Sequence, residues 1–242
     1  MKNDIQTIFL DVGSTLLMAV KDEPFQAHAR EQFAPLVGAQ ESPEAFFNRL
    51  KLRWEIYRQW AFETLVDASE EELWTRFMLP DFPSETIAPL AGKLTKLWRA
   101  RDGHRVARSD AKPTILELSK RGYALGIIAN TPSEHEAPDW LRAEGLDQYF
   151  KAVILSSKIG LRKPGAKIYL EAARAAGVAP EHCVYVGDNH KRDVSGARVA
   201  GYGMVIILTE LAKLEKDPPT PETKPDMIIE SFGELLNIFP GC

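Results

Sequence analysis

Short apolar runs alternate with longer segments of helical spacing along most of the chain. Residues 7–10 form a brief apolar, β-branched run bounded by Gly13, which is too short for a helix and predicts a buried strand. Similar runs occupy residues 123–129, 152–155, 184–186, 204–208 and 227–229. Strands that alternate with helices in this way are typical of a parallel α/β sheet with helices on both faces.

Three of the intervening helices have recognisable ends, because proline or serine opens them and glycine closes them. We predict helices from residues 112–113 to Gly122, from residues 133–134 to Gly145, and from just after residues 163–165 to Gly177.

The interval from residue 21 to residue 103 breaks this rhythm. It contains no convincing strand, and Phe46, Leu50, Trp54 and Tyr57 recur at helical spacing. The first strand precedes this insert and the second follows it, so the insert should lie above the carboxyl end of the first strand, where open α/β sheets bind ligands. We therefore predict a catalytic core of residues 1–20 and 104–242 and a helical cap, or lid, of residues 21–103. Within the core, residues 217–225 are a proline-rich connection before a last short strand and helix.

Composition narrows the possible partners and the location. The 242 residues are 45% hydrophobic, enough to bury a full core. The 34 acidic residues against 30 basic ones give a net charge of -4, so no basic excess is available to bind nucleic acid. The two cysteines, Cys183 and Cys242, have no neighbours at metal-ligand or redox spacing, which favours a reducing, cytoplasmic setting. No apolar run approaches the roughly 18 residues needed to span a bilayer, and we expect neither a signal peptide nor a membrane anchor.

Polar side chains follow the predicted strands at the edge where parallel strands end. Asp11 comes directly after the first strand, but an aspartate there is more often a turn or helix cap than a nucleophile. The company it keeps changes this interpretation, because Asn130, Lys163, Asp188 and Asp193 should converge on the same edge. Phosphoryl transfer needs a carboxylate nucleophile, oxygen ligands for magnesium, and cations around the phosphoryl oxygens. Magnesium would also let two carboxylates lie close together without one being protonated.

Four ordered segments resemble the motifs of the haloacid dehalogenase (HAD)-like hydrolase superfamily. They are FLDVGSTL (residues 9–16), IANT (128–131), LRKP (161–164) and VGDNHKRD (186–193), and residues 163–201 resemble the subgroup with a helical cap inserted after the first strand. The resemblance implies a Rossmann-like parallel sheet core with an inserted all-helical cap. It also implies a magnesium-dependent hydrolase, most often a phosphatase of a small phosphorylated metabolite that works through an aspartyl-phosphate intermediate.

The resemblance also assigns roles to individual residues. Asp11 would be the nucleophile and a magnesium ligand, with the Gly13 carbonyl and Asp188 as further ligands. Lys163 would neutralise the phosphoryl group and Asp11, and Asp193 would support both Lys163 and the water shell of the metal. Asn130, Thr131 and Thr15 are the substrate-binding candidates, and His190 is a supporting residue. Simpler alternatives are a helix N-cap for Asp193, ahead of residues 194–200, and a solvated surface position for Lys163.

Two positions depart from the family pattern. The phosphatases usually carry a second aspartate two residues after the nucleophile as general acid and base, and Gly13 stands there. General acid help is worth about 10²- to 10⁴-fold, so poor leaving groups should suffer most. A backbone that needs positive φ is another reason for a glycine there. The second departure is Ala129, where serine or threonine is common; Thr131 is a neighbouring substitute.

Other residues could supply the missing proton or contact the substrate. His190 and His135 lie in loops near the predicted site, although an exposed loop histidine is the simpler interpretation of each. In the cap, Trp54 and Trp60 are better explained as bundle core than as a stacking platform. The polar candidates of the cap are His28, Glu31, Arg53, Tyr57 and Arg58.

Three other functions stay open. A catalytically weakened relative that binds a phosphorylated ligand or a partner is the main alternative, because Gly13 is consistent with lost turnover. Phosphonate hydrolysis uses a small residue at the position of Gly13 together with a cap lysine, for which Lys51 is the candidate. Haloacid hydrolysis fits less well, since it pairs an aromatic residue there with an arginine close behind. The sequence leaves the substrate and the oligomeric state undetermined.

Overall fold

The computed structural model describes residues 4–241, and within them six parallel strands form one sheet. The order is β5, β4, β1, β6, β7, β8, so the first strand lies in the middle. Every predicted apolar run is a strand, and the predicted α/β, Rossmann-like fold is confirmed. The first three residues and Cys242, at the ends of the predicted core, lie outside the described residues. The strands are β1 (Thr7–Leu10), β2 (Leu17–Val20), β3 (His104–Ala107), β4 (Ala124–Ala129), β5 (Phe150–Leu155), β6 (Cys183–Gly187), β7 (Met204–Leu208) and β8 (Met227–Ile229).

The three predicted crossover helices are present as α7, α8 and α10. Their closing glycines, Gly122, Gly145 and Gly177, have φ of 91°, 67° and 70°, the left-handed conformation that commonly ends a helix. The helices are α1 (Glu23–Glu31), α2 (Phe33–Val37), α3 (Pro43–Thr64), α4 (Glu70–Glu72), α5 (Ser84–Ile87), α6 (Ala91–Ala100), α7 (Ala111–Lys120), α8 (Glu136–Ala143), α9 (Ser156–Ile159), α10 (Ala166–Ala176), α11 (His190–Val199), α12 (Leu211–Lys216) and α13 (Leu235–Ile238), with a π-helical turn over Leu73–Met78 and short 3₁₀ turns over Ala88–Leu90, Asp147–Tyr149, Pro180–His182 and Phe232–Glu234.

Helices cover both faces of the sheet because side chains alternate along each strand. Ile8 and Leu10 of β1 pack with α7 and α8 on one face, while Phe9 packs with α10 and α11 on the other. The second face matters for function. The loop that contains Lys163 leads into α10, and Asp193 lies on α11, so packing of these two helices brings both residues to the sheet edge.

Residues 21–103, called the cap segment below, contain helices and no strand, and these helices share a separate hydrophobic core. Phe33, Phe46 and Trp74 are completely buried in it. Trp54 and Trp60 pack against that core, which confirms their predicted structural role. The domain boundaries at residues 20/21 and 103/104 stay a prediction. Within residues 4–241, no helix is long and apolar enough to cross a membrane.

An antiparallel ribbon of β2 and β3 joins the cap segment to the sheet, and the sequence did not predict it. Val20 pairs with His104 and Leu17 with Ala107, so the chain enters and leaves the cap segment at the same place. Gly103 has φ of 108°, and a Cβ there would lie 2.1 Å from the carbonyl oxygen of Val20. The tight approach of the two linkers therefore requires glycine at residue 103.

Candidate active site

Three carboxylates meet at the carboxyl ends of β1 and β6. Asp11 follows β1, and its backbone amide donates to the Val186 carbonyl at 2.8 Å, which extends the pairing of the two strands by one residue. Asp188 follows β6, and Asp193 lies in the first turn of α11. One oxygen from each of the three carboxylates lies within 4.8 Å of the others. The parallel strand ends thus bring Asp11 together with two carboxylates that lie 177 and 182 positions later in the sequence.

Lys163 reaches this cluster from the loop before α10. Its Nζ lies 3.1 Å from Oδ1 of Asp11 and 3.2 Å from Oδ1 of Asp193, and its side chain is completely buried. The alternative of a solvated surface lysine is therefore wrong. Lys163 also donates to the hydroxyl of Tyr185, which in turn donates to the Ile128 carbonyl at 3.2 Å. Tyr185 gave no signal of its own in the sequence, because it lies inside the apolar run of β6.

Asn130 holds the backbone of Lys163 from both sides. Its amide nitrogen donates to the Lys163 carbonyl at 2.8 Å, and its Oδ1 accepts from the Lys163 amide at 2.8 Å. These bonds fix the loop that positions the Lys163 side chain. They also engage both ends of the amide that we predicted to hold the phosphoryl group.

Of the two threonines predicted to bind substrate, Thr131 lies in the turn after β4, whereas Thr15 is buried. The Thr131 hydroxyl accepts from the Ser133 amide at 3.1 Å, which stabilises the turn after β4. Thr15 is completely buried, and its hydroxyl has no hydrogen-bond partner among the described residues. The structure therefore does not bring Thr15 to a surface that a ligand can reach.

Asp193 is held in place rather than capping a helix. Helix α11 begins at His190, and its N-cap is Asn189, whose side chain accepts from the Arg192 amide at 3.0 Å, so the N-cap interpretation of Asp193 is wrong. Burial alone would raise the pKa of Asp193, but Lys163 and Arg192 outweigh burial and lower it. A Cβ at Gly187 would lie 2.3 Å from the Asp193 carboxylate, so the absence of a side chain there allows this close approach.

Arg192, like Tyr185, is a site residue that was not predicted from the sequence. Its Nη2 lies 2.9 Å from Oδ2 of Asp11 and 3.0 Å from Oδ1 of Asp188, and its Nε donates to Oδ1 of Asp193 at 3.0 Å. One guanidinium therefore contacts all three carboxylates. The available signal was its position within the fourth motif, four residues after Asp188, which places both side chains on one side of a helical turn.

The cluster has the chemistry of a magnesium site. Burial and the nearby charge of Asp11 raise the pKa of Asp188 to about 6, with Arg192 opposing that rise. A divalent cation would relieve this repulsion, and carboxylate and carbonyl oxygens are the ligands that magnesium prefers. The carboxylates of Asp11 and Asp188 therefore fit the ion that the motifs imply, and the Gly13 carbonyl stays a predicted third ligand.

Gly13 lies in an open turn. It is exposed, and no atom outside its chain neighbours lies within 4 Å of where its Cβ would be. Its φ lies outside the left-handed region, and the residue with positive φ is Ser14, at 60°. Backbone strain therefore does not explain the glycine, and the turn has room for a side chain.

The two histidines considered as proton donors face other partners. His190 is only 6% exposed, so an exposed loop position is wrong for it. Its ring nitrogens lie 3.2 Å from the Thr223 hydroxyl and 3.2 Å from the Asp217 carbonyl. His135 is exposed as expected, and its Nε2 lies 3.8 Å from a carboxylate oxygen of Glu70 in the cap segment.

The cap segment contacts the site through the loop that contains Lys163. Asp67 is buried, and its Oδ1 accepts from the Tyr57 hydroxyl at 2.9 Å and from Nη1 of Arg162 at 2.7 Å. Glu70 and Glu134 exchange hydrogen bonds: the Glu134 amide donates to Glu70 at 2.8 Å, and the Glu70 amide donates to Glu134 at 3.2 Å. Arg162 belongs to the third motif, and Glu134 follows the second motif by three residues. The cap segment therefore lies against the loops that carry Lys163 and Thr131.

The other polar candidates of the cap contact the cap itself. Arg53 pairs with Asp81 and Arg58 with Glu55. His28 lines a groove with residues of α1 and α6, and Glu31 lines a second groove. Lys51 lines that second groove too, and all residues lining it belong to the cap segment.

A family model described as haloacid dehalogenase-like hydrolase matches residues 5–201. A phosphoserine phosphatase from Thermus thermophilus is 29% identical over 97% of this chain and 98% of its own length. A glyceraldehyde 3-phosphate phosphatase from Methanopyrus kandleri is 35% identical, but the alignment covers 53% of this chain and 54% of that protein.

Solved structures share the architecture across nearly all of the chain. A 2-haloacid dehalogenase from Pseudomonas syringae superimposes with a TM-score of 0.68 at 22% identity, covering 97% of both chains. A HAD phosphatase from Thermococcus onnurineus gives a TM-score of 0.59 at 22% identity, covering 98% of this chain and 99% of the other. The same fold thus occurs with two different chemistries, so the reaction must be argued from the site residues.

Proposed function

Because the chain belongs to the haloacid dehalogenase-like hydrolases, we propose that it is a magnesium-dependent phosphatase of a small phosphorylated metabolite. The carrying observation is the environment of Asp11, a buried carboxylate at a strand end that contacts Lys163 and lies beside Asp188 and Asp193. The phosphatase names of the Thermus and Methanopyrus relatives support a phosphate ester as the substrate.

In this proposal Asp11 attacks phosphorus, the bond from phosphorus to the ester oxygen breaks, and an aspartyl phosphate forms. Water then cleaves the acyl phosphate, which releases inorganic phosphate and restores the carboxylate. Lys163 orients Oδ1 of Asp11 and neutralises charge there, and because both side chains are buried, their electrostatic interaction is stronger than it would be in solvent. Asn130 acts mainly by holding Lys163, as its two backbone bonds indicate.

Asp11, the Gly13 carbonyl and Asp188 would hold magnesium, and Asp193 would support the water shell of the ion. When bound, the ion would neutralise charge on the transferred phosphoryl group. The remaining contacts of Asp193 would keep Lys163 aligned with the nucleophile.

Gly13 sets the expected limit on turnover. Without an acid at this position, an ester with a good leaving group should react much faster than an alkyl ester, which needs protonation on departure. The same feature favours one alternative, a protein that binds a phosphorylated ligand with little or no turnover.

We further propose that the cap segment acts as a lid over this site. The Asp67–Arg162 pair and the Glu70–Glu134 bonds support this, because they join the cap segment to the loops that flank the site. A cytoplasmic location remains part of the proposal. It is supported by Cys183, whose thiol is free and therefore suits a reducing setting.

The decisive variant is Asp11→Asn, assayed with an activated aryl phosphate in magnesium and in chelator. An amide is too poor a nucleophile to attack phosphorus, so we expect a loss on the order of 10⁴-fold or more. Asp147→Asn, at an exposed carboxylate far from the motifs in sequence, is the matched control and should retain full activity. Turnover by Asp11→Asn above a tenth of the wild-type rate would remove Asp11 as the nucleophile. Wild-type turnover unaffected by chelator would remove the metal.

A further inference from the structure

The hydrogen-bonding groups of Arg192 are directed at the oxygens that a metal would use. Nη2 contacts Oδ2 of Asp11 and Oδ1 of Asp188, the two side chains assigned to the metal, and Nε contacts Asp193. A guanidinium is always charged and donates in a fixed planar geometry, so these contacts are specific. The arginine therefore occupies part of the position that the proposed function gives to magnesium.

The charges in the cluster show why the two cations compete. Asp11, Asp188 and Asp193 face Lys163 and Arg192, which leaves one negative charge uncompensated. A divalent ion in place of the guanidinium would complete the neutralisation. The ion and the guanidinium together would repel each other at close range while sharing the same carboxylate oxygens.

Arg192 can leave, whereas Lys163 cannot. The Arg192 side chain is 31% exposed and starts from the first turn of α11, so it can rotate into solvent while the backbone stays in place. The Lys163 side chain is completely buried and held by Tyr185, Asp11 and Asp193. Of the two cationic side chains, a metal ion could therefore displace Arg192 but not Lys163.

We propose that Arg192 is a built-in competitor of the metal ion: its guanidinium bridges Asp11 and Asp188 until the ion displaces it. This inference rests on the magnesium site of the proposed function. It predicts that Arg192 stabilises the metal-free protein and weakens magnesium binding. Arg192 is thus a residue that tunes metal affinity and takes no part in the chemical step.

Calorimetric titration of magnesium into the wild type, Arg192→Gln and Arg198→Gln tests this without any substrate. In Arg192→Gln the ion no longer has to displace the charged hydrogen bonds of the guanidinium. We therefore expect this variant to bind magnesium about 10- to 100-fold more tightly than the wild type. Arg198→Gln is the matched control on the same helix. Its guanidinium pairs with Asp226, away from the cluster, and its affinity should equal that of the wild type. Arg192→Lys keeps the charge but loses the planar guanidinium, so its magnesium affinity should lie between those of the wild type and Arg192→Gln.

Thermal unfolding gives an independent readout. In chelator, Arg192→Gln should melt below the wild type, because Asp11 and Asp188 then lack a shared cation; saturating magnesium should remove or reverse the difference. If Arg192→Gln folds only with magnesium, unfolding on addition of chelator is the same result in stronger form.

The outcomes distinguish the competitor role of Arg192 from the existence of the magnesium site. Equal or weaker magnesium binding by Arg192→Gln, with clear binding by the wild type, overturns the competitor role and leaves the phosphatase proposal intact. No magnesium binding by any variant at millimolar concentrations overturns the metal site itself, and the competitor role with it.

Discussion

The charge cluster around Asp11 and the boundary between cap segment and core both contain pairs of oppositely charged side chains, but the two regions differ in how deeply these pairs are buried. In the cluster, Lys163 and Asp193 are completely buried, and each contacts two side chains of opposite charge. At the boundary, Arg99 and Glu136 pair at 2.8 Å but stay about one-fifth exposed. Breaking a buried pair is costly because an unpaired charge remains in a poorly solvated place, whereas partly exposed pairs contribute little. The comparison indicates that the charges around Asp11 are held more tightly than the Arg99–Glu136 pair at the boundary with the cap segment.

Among the tests of this comparison, the largest expected effect concerns the general acid that is missing at Gly13. Gly13→Asp should raise the hydrolysis of an alkyl phosphate about 10²- to 10⁴-fold and change aryl phosphate hydrolysis much less, since the open turn admits the new carboxyl group. Steady-state rates on a series of leaving groups measure this.

Gly13→Asn is the matched control for that variant. It fills the same space without an acidic proton and should leave the leaving-group dependence steep. If Gly13→Asp folds stably and the dependence is also unchanged, the acid lies elsewhere, and substitution of His135, of His190 and then of the cap residues would locate it.

The second prediction concerns the buried side of the comparison. Lys163→Met keeps most of the volume but leaves Asp11 and Asp193 without their shared ammonium, which should lower the free energy of unfolding by about 3–5 kcal/mol. Urea denaturation in chelator measures it, and Lys167→Met, at an exposed position on α10, should change it little. A small effect of Lys163→Met would mean that the cluster is as loosely held as the boundary.

The smallest expected effect concerns Asp67, the buried carboxylate of the cap segment that contacts Arg162 of the core. Asp67→Asn removes the charge that Arg162 and Tyr57 share and should lower the free energy of unfolding by about 1–3 kcal/mol. We expect KM to change more than kcat, because the nucleophile is untouched. Asp81→Asn, at an exposed cap carboxylate that also accepts from arginines, is the control. A fall in kcat alone, with KM and stability unchanged, would contradict the role of Asp67 as a docking contact.

The same contrast explains what the sequence could predict. Strand periodicity located β1 and β6, and parallel order then placed Asp11 and Asp188 at one edge, because these features depend on short stretches of chain. Lys163 and Asp193 were predictable from their motifs. Their contact needed only that α10 and α11 pack on the same face.

Features that depend on side-chain direction were not predictable. Arg192 was missed because a charged residue in the first turn of a helix usually faces solvent. The direction of its side chain toward Asp11 depends on the tertiary structure, which brings β1 and α11 together. Asn130 was placed correctly on the chain, but its amide is directed at the backbone of Lys163. The β2–β3 ribbon was missed because each strand has four residues and its partner lies more than 80 positions away.

That ribbon makes the fold modular. Val20 and His104 are neighbours across paired strands, so the ends of everything between them lie about 5 Å apart whatever its length. A two-residue turn could join them as an ordinary hairpin, and a larger insert could equally be accommodated, without altering the order of the sheet. Descendants of this chain could therefore exchange what covers the site through insertions and deletions at one seam, while the residues around Asp11 keep their positions.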